Sequence, residues 1–199
     1  MSAELWPDVQ PDAARRLMLA AVESFASRGY HATTTRDIAG AAGMSPAALY
    51  VHFPSKAALL FAISESGHRQ TLTLVESVAD RDESPLDRMR EIVEDFVAWH
   101  ARRHTVARVV QYELQALPEK EYAVVADLRR RIEHRVRDVI AEGVEQGVFT
   151  VSDVRTATRA VLSLGVDVAR WYTERVNTTP KALGRDYAEL VLRMLGATA

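Results

Sequence analysis

Apolar residues recur at three- and four-residue intervals along almost the whole chain. That spacing predicts an all-α fold. The first predicted helix runs from about Asp12 to Ser27, carries Leu17, Ala21 and Phe25 four apart, and stops at Gly29. A longer helix is expected over Ser55 to about Val78. After the polar stretch Asp80 to Ser84, Pro85 restarts a helix whose wide apolar face is Leu86, Met89, Ile92, Val93, Phe96 and Val97. Another spans roughly His104 to Leu117 and is interrupted by Pro118. Lys120 to Gly143 is strongly amphipathic, with Val124, Leu128, Ile132, Val136 and Val139 or Ile140 on one side. Its other face is crowded by Arg129, Arg130, Arg131, Arg135 and Arg137, a pattern read first as a solvated face. Two apolar helices close the chain, about Val151 to Glu174 and Pro180 to Leu195.

Between the first two long helices the pattern shortens. The segment Thr33 to Lys56, TTTRDIAGAAGMSPAALYVHFPSK, reads as two very short helices, a tight turn and the start of a third. Thr34 followed by Asp37 fits a capping pair at the first start. Ile38, Ala39 and Ala42 form a thin apolar stripe, Gly43 supplies the turn, and Met44 packs beneath it. Ser45 is a strong cap, and Pro46 sits where its missing amide hydrogen costs nothing. The second short helix, Pro46 to Phe53, ends at Pro54, and Leu49 and Phe53 are its buried anchor. A helix of about eight residues is marginal alone, so its neighbours must hold it, and its outer face is free to meet something else.

The run GYHATTTRDIAGAAGMSPAALYVHFPSKAALL resembles the DNA-binding domain of the tetracycline-repressor (TetR) family from about Leu17 to Leu60. The resemblance implies a dimeric transcription regulator in two parts. Residues 1–54 would be a three-helix, helix-turn-helix DNA-binding domain, and 55–199 a helical effector-binding and dimerisation domain. It makes Pro46 to Phe53 the recognition helix and turns Thr33, Thr34, Tyr50, His52 and Lys56 toward operator DNA. Many relatives carry Lys or Arg and Gly or Thr where this chain has Pro46, Ala47 and Ala48. That departure weakens charged base readout from the helix start.

The residue types divide the work further. Thr33, Thr34, Ser45, Lys56 and the helix-start amides around Pro46 suit phosphate oxygens and would position rather than specify. Ala47 or Ala48 suits a thymine methyl, and Tyr50 and His52 have the reach for base edges or backbone. The plainer alternatives are a packed Tyr50, a solvent-facing His52 and an ordinary surface Lys56.

Bulk charge adds little: the net charge is -2 and the pI about 6.3. Arg28 to Lys56, however, holds three basic side chains (Arg28, Arg36, Lys56) against one acid, Asp37. A dimer axis would double that patch. The absence of cysteine excludes disulfides and thiolate metal sites. The opening residues show no apolar export signal. The longest apolar-rich stretch, Ala157 to Tyr172, is broken by Arg159, Asp167 and Arg170 and is too short to span a bilayer. The expectation is a cytoplasmic protein without membrane contact.

The second part supplies two further candidate sites. Ala157, Ala160, Leu164 and Val168 on one terminal helix, with Leu183, Tyr187, Leu190 and Met194 on the other, suggest a subunit interface. In the family resembled, the terminal helix pair forms the dimer as a four-helix bundle; the alternative is completion of the protomer's own core. Phe61, Met89, Phe96, Trp99, Val109, Tyr112, Trp171, Tyr172 and Arg170 are candidates to line an effector pocket, and the alternative for each is ordinary core. LSLGVDVARWY followed by YAELVLRML also resembles a subgroup linked to lipid and sterol breakdown, some of whose members respond to acyl-coenzyme A esters. The effector expected is therefore small and apolar or of acyl-coenzyme A type, its anionic head received by Arg102, Arg103, Arg108 or Arg170. Under this resemblance the protein is a repressor with no cofactor, released when ligand tilts the helix Ser55 to Val78. Two rival classes are an enzyme and a helical adaptor without DNA affinity. His100 and His104, with Asp167 and Glu113, are the only tempting catalytic groups, and no HExxH pattern accompanies them, so no catalytic or metal residue is assigned.

Overall fold

Side-chain caps and N-terminal prolines set most helix starts, as the sequence leads one to expect. A computed structural model describes residues 6 and 9–197. Among these are nine α-helices: α1 (Asp12–Arg28), α2 (Thr35–Ala41), α3 (Pro46–His52), α4 (Lys56–Ala79), α5 (Pro85–Arg102), α6 (His104–Glu113), α7 (Glu119–Glu145), α8 (Val154–Trp171) and α9 (Pro180–Met194). A single 3-10 turn, Leu114–Ala116, follows α6. Ser84, Asp153 and Thr179 accept the amides of Asp87, Thr156 and Ala182 at the starts of α5, α8 and α9. The Asp153 cap is why α8 begins at Val154 rather than near Val151. Its carboxyl is held below the usual carboxylate range, chiefly by the Thr156 amide.

The chain forms two compact units. One comprises the residues up to Gly67 together with Thr105–Val125; the other comprises His68–His104 and the residues from Ala126 onward. In the first, α1, α2 and α3 pack on one another. Their core is Leu17, Phe25, Ile38, Leu49, Leu59 and Ile63, to which α6 adds Val106, Val109 and Val110.

In the second unit α5 is the central helix, crossed by α8 and α9. Its Met89, Ile92, Phe96 and Val97 meet Ile132, Val136 and Ile140 of α7, Val168 of α8 and Val191 of α9. The crossings are close because glycine stands at each. A Cβ on Gly184 would lie 2.4 Å from the Glu94 carbonyl oxygen, and one on Gly165 would lie 2.5 Å from the Phe96 ring. The apolar stripe of α7 is buried as expected at Leu128, Ile132, Val136, Val139 and Ile140, and only its first position differs: Val125 is fully buried and Val124 is exposed. Both are valines, so only the registry of the helix against its neighbours distinguishes them. The arginine face of α7 is largely ion-paired, with Arg130 to Asp127 and Arg131 to Glu76 at 3.0 Å and Arg135 to Asp80. Among the described residues no single helix is long and apolar enough to cross a membrane.

Candidate nucleic-acid interface

The short helices of the first unit are built as their residues dictate. The Thr34 hydroxyl accepts the Asp37 amide, and the Asp37 carboxylate accepts both the Thr34 amide (2.8 Å) and the Thr34 hydroxyl (2.7 Å). This reciprocal box closes the start of α2. The Thr34 hydroxyl bond is the main reason the Asp37 carboxyl is held below its ordinary value. Met44 and Phe53 pack against the core beneath α3, and Gly43 turns the chain with φ +67°. Arg16 of α1 locks that turn by donating to the Ala42 carbonyl. Ser45 accepts the Ala48 amide at the start of α3, and Leu49 is its fully buried anchor.

These fastenings leave an outward face. Thr34, Ser45, Pro46, Ala47 and Tyr50 are exposed, while Ala48 and His52 are half-buried. Tyr50 does not pack inward: it is 53% exposed, and its hydroxyl lies 3.1 Å from that of Thr35. Thr35 was not among the expected residues. Its pairing joins α2 to α3 across fifteen positions of sequence, and no local signal announces it.

Two of the expected residues face the other way. Thr33 is 1% exposed, and its hydroxyl donates to the carbonyls of Gly29 (2.8 Å) and Ser24 (3.2 Å). It holds the end of α1 and offers no group to an outside partner. Lys56 is drawn inward as well. Its ammonium donates to the carbonyls of Tyr30 (2.6 Å) and Thr33 (2.7 Å) and lies 4.2 Å from the centre of the Tyr30 ring. Both carbonyls lie in the turn between α1 and α2; that of Tyr30 also accepts the Thr33 amide at 3.2 Å, and a long cation on the first residue of α4 reaches the two together. Burial pulls the Lys56 ammonium below its ordinary pKa, and the charge of Glu113 opposes that.

The expected effector residues divide between the units. Phe61, Val109 and Tyr112 belong to the first, and Tyr112 is 59% exposed. Met89, Phe96, Trp99, Trp171, Tyr172 and Arg170 belong to the second. There Phe96 helps line a narrow apolar depression with Ile92, Val136, Leu164, Gly165 and Tyr187. Met89 is fully buried in the core, and Arg170 is paired with the Asp167 carboxylate at 2.7 and 2.8 Å. The His100 ring lies tilted at 4.3 Å from that of Phe96 and edge-on at 5.0 Å from that of Trp99. Among the described residues no three His, Asp or Glu side chains are grouped to hold a metal.

The expected dimer residues also separate. Leu164, Leu190 and Met194 are exposed at 41%, 55% and 41%, and Ala157, Ala160 and Tyr187 are half-buried. Val168 and Leu183 are buried in the protomer core and do not belong to the outer face.

Comparison with known proteins agrees with this architecture at both ends of the chain. Residues 17–63 match the family of bacterial regulatory proteins of the tetR type, and residues 82–195 match the tetracyclin repressor-like C-terminal domain. The chain belongs to the TetR family. Its relatives include the HTH-type transcriptional repressor KstR2 of Mycobacterium tuberculosis, 28% identical over 180 residues, which cover 88% of this chain and 89% of the relative. The structure of that ketosteroid transcriptional regulator superposes with a TM-score of 0.86 at 26% identity, covering 96% and 97% of the two chains. A regulatory protein of the tetR family from Rhodococcus RHA1 superposes with a TM-score of 0.90 at 39% identity, covering 96% of this chain and all of the other. As a TetR-family protein it is a transcriptional regulator with a helix-turn-helix DNA-binding segment, and it is not an enzyme.

Proposed function

We propose that this protein is a ligand-responsive repressor that binds palindromic operator DNA as a dimer and leaves it when a small apolar or acyl-coenzyme A-type effector binds. The observation that carries this reading is the construction of α3. Ser45, Leu49 and Phe53 fasten the helix, and Ala47, Tyr50 and His52 are left on its outer side. Small side chains at the start of α3 permit close approach to a groove floor, and Tyr50 and His52 bring hydrogen-bonding tips to base edges or phosphates. Thr34, Ser45 and the helix-start amides supply backbone contacts. In this reading residues 1–54 meet DNA, and 55–199 hold effector and partner.

Dimerisation through α8 and α9 is supported by the exposure of Leu164, Leu190 and Met194 beside Ala157, Ala160 and Tyr187. A two-fold axis would set two recognition helices about one duplex turn apart. The effector class is supported by the relation to a ketosteroid regulator. Release requires that the ligand prefer the conformation that does not bind DNA, since equal affinity for both shifts nothing.

The test is fluorescence anisotropy of the full-length protein on duplex DNA from its own upstream region, at two salt concentrations, with a scrambled duplex as control. The native duplex should retain saturable binding at the higher salt, and an acyl-coenzyme A ester titrated into the complex should lower the anisotropy. Absence of binding to the native duplex and to every member of a panel of randomised duplexes, by a folded dimer, would favour a helical adaptor. Binding that no thioester or apolar ligand reverses would remove the effector class.

A further inference from the structure

The turn between α1 and α2 is gripped from three directions. From α1 and its C-cap come the carbonyls of Ser24 and Gly29, to which the Thr33 hydroxyl of the turn donates. From α4 comes Lys56, whose ammonium binds the Tyr30 and Thr33 carbonyls. From α6 comes Glu113, whose Oε1 accepts the Tyr30 amide at 3.1 Å across eighty-three positions of sequence. Tyr30 is therefore held at its amide by α6 and at its carbonyl by α4, while its ring is buried at 5.2 Å from Phe25.

This turn leads directly into the DNA-facing surface. Three residues after Thr33's own bonds, the chain has passed the Thr34 cap and Thr35, the partner of Tyr50, and entered α2. A shift of the turn would thus carry the cap, the Thr35–Tyr50 pair and the pitch of α2 against α3 with it. An amide in a partly buried site needs an acceptor, and a carboxylate is a stronger one than water. Glu113 lies far beyond the helix-turn-helix segment in sequence, on a helix that packs into the same unit through Val106, Val109 and Val110.

We propose that Glu113 is a positioning residue for DNA binding, fixing the α1–α2 turn through the Tyr30 amide so that α2 and α3 present their outer faces at one height. The inference rests on the DNA-binding reading of that face. It makes α6 a mechanical contact to the turn, separate from the α4 backbone that continues out of the short helices.

The experiment compares full-length wild type, Glu113→Ala and Glu113→Gln in two ways. Amide hydrogen exchange, read by mass spectrometry without DNA, should be about tenfold faster in Glu113→Ala over residues 29–37, and unchanged in α5, which serves as internal reference. Glu113→Gln retains a carbonyl acceptor and should exchange within about threefold of wild type. Operator affinity should fall about tenfold in Glu113→Ala and be largely restored in Glu113→Gln, with thermal midpoints close together. Wild-type exchange at residues 29–37 in Glu113→Ala overturns the inference. So does equal acceleration in α5, which would mark general loosening, or a Glu113→Gln protein as impaired as the alanine variant. Should wild type bind no duplex, the DNA reading fails by itself, and the exchange result still decides whether Glu113 holds the turn.

Discussion

The buried ring of His100 predicts a stability that declines in mild acid. Its ring is buried on α5, its Nδ1 lies 2.8 Å from the Phe96 carbonyl, and it makes a tilted contact with Phe96 and an edge contact with Trp99. Burial pushes its pKa from 6.5 down to about 4; the Phe96 carbonyl opposes this and the proximity of His68 adds to it. The folded state therefore holds the ring neutral where the unfolded chain would protonate it. Between pH 6.5 and 4 the unfolded state binds more protons, so stability falls as pH falls across that window and is fully retained above it. A pKa difference of this size corresponds to about 3 kcal/mol in full, most of which is lost by pH 4.5. The assay is urea unfolding at pH 7.5, 5.5 and 4.5 at one protein concentration, for wild type and His100→Gln. Carboxylates add their own acid dependence, and burial raises the Asp95 carboxyl above its ordinary value. The informative quantity is thus the difference between the two proteins. Wild type should lose between about 2 and 3 kcal/mol more than His100→Gln from pH 7.5 to 4.5. Parallel losses would refute the assignment of the acid sensitivity to this ring.

Three other outcomes follow from contacts already described. Gly184→Ala places a methyl against the Glu94 backbone, which cannot swing aside, and should destabilise the protein by about 1–3 kcal/mol in urea unfolding. An unchanged midpoint would mean the α5–α9 crossing is looser than its geometry. Thr35→Val and Tyr50→Phe each remove one end of the same hydroxyl pair, so their effects on operator affinity should be less than additive when combined. Full additivity would show that the two act separately. Leu190→Glu with Met194→Glu should shift sedimentation equilibrium toward monomer while leaving helical circular dichroism intact. A dimer of wild-type affinity would place the interface elsewhere.

What the sequence disclosed and what it withheld follow the range of the forces involved. The Thr34–Asp37 box and the Ser45–Pro46 start were legible because both partners of each cap lie within one turn. The all-α fold was legible because helical periodicity repeats many times. The family resemblance turns Thr33 and Lys56 toward DNA and their residue types suit phosphate, whereas their actual partners are backbone carbonyls that only the folded turn brings near. Val168 and Leu183 were assigned to a subunit face because an apolar side chain on an amphipathic helix does not say which neighbour it meets. Glu113 drew notice only as a tempting polar group, since its partner is an amide on a distant turn.

Apart from Ser45, which does both, the residues that secure α3 are not the residues it displays. Ser45, Leu49 and Phe53 hold the helix in place, while Pro46, Ala47 and Tyr50 stand on its outside. Ala47 is exposed and takes no part in the cap or the buried anchor of this helix. A lineage carrying this scaffold is free to drift at that position and acquire a new DNA address one substitution at a time, with folding under separate selection. The weakness of charged readout at the start of this helix is one setting among those the same frame allows.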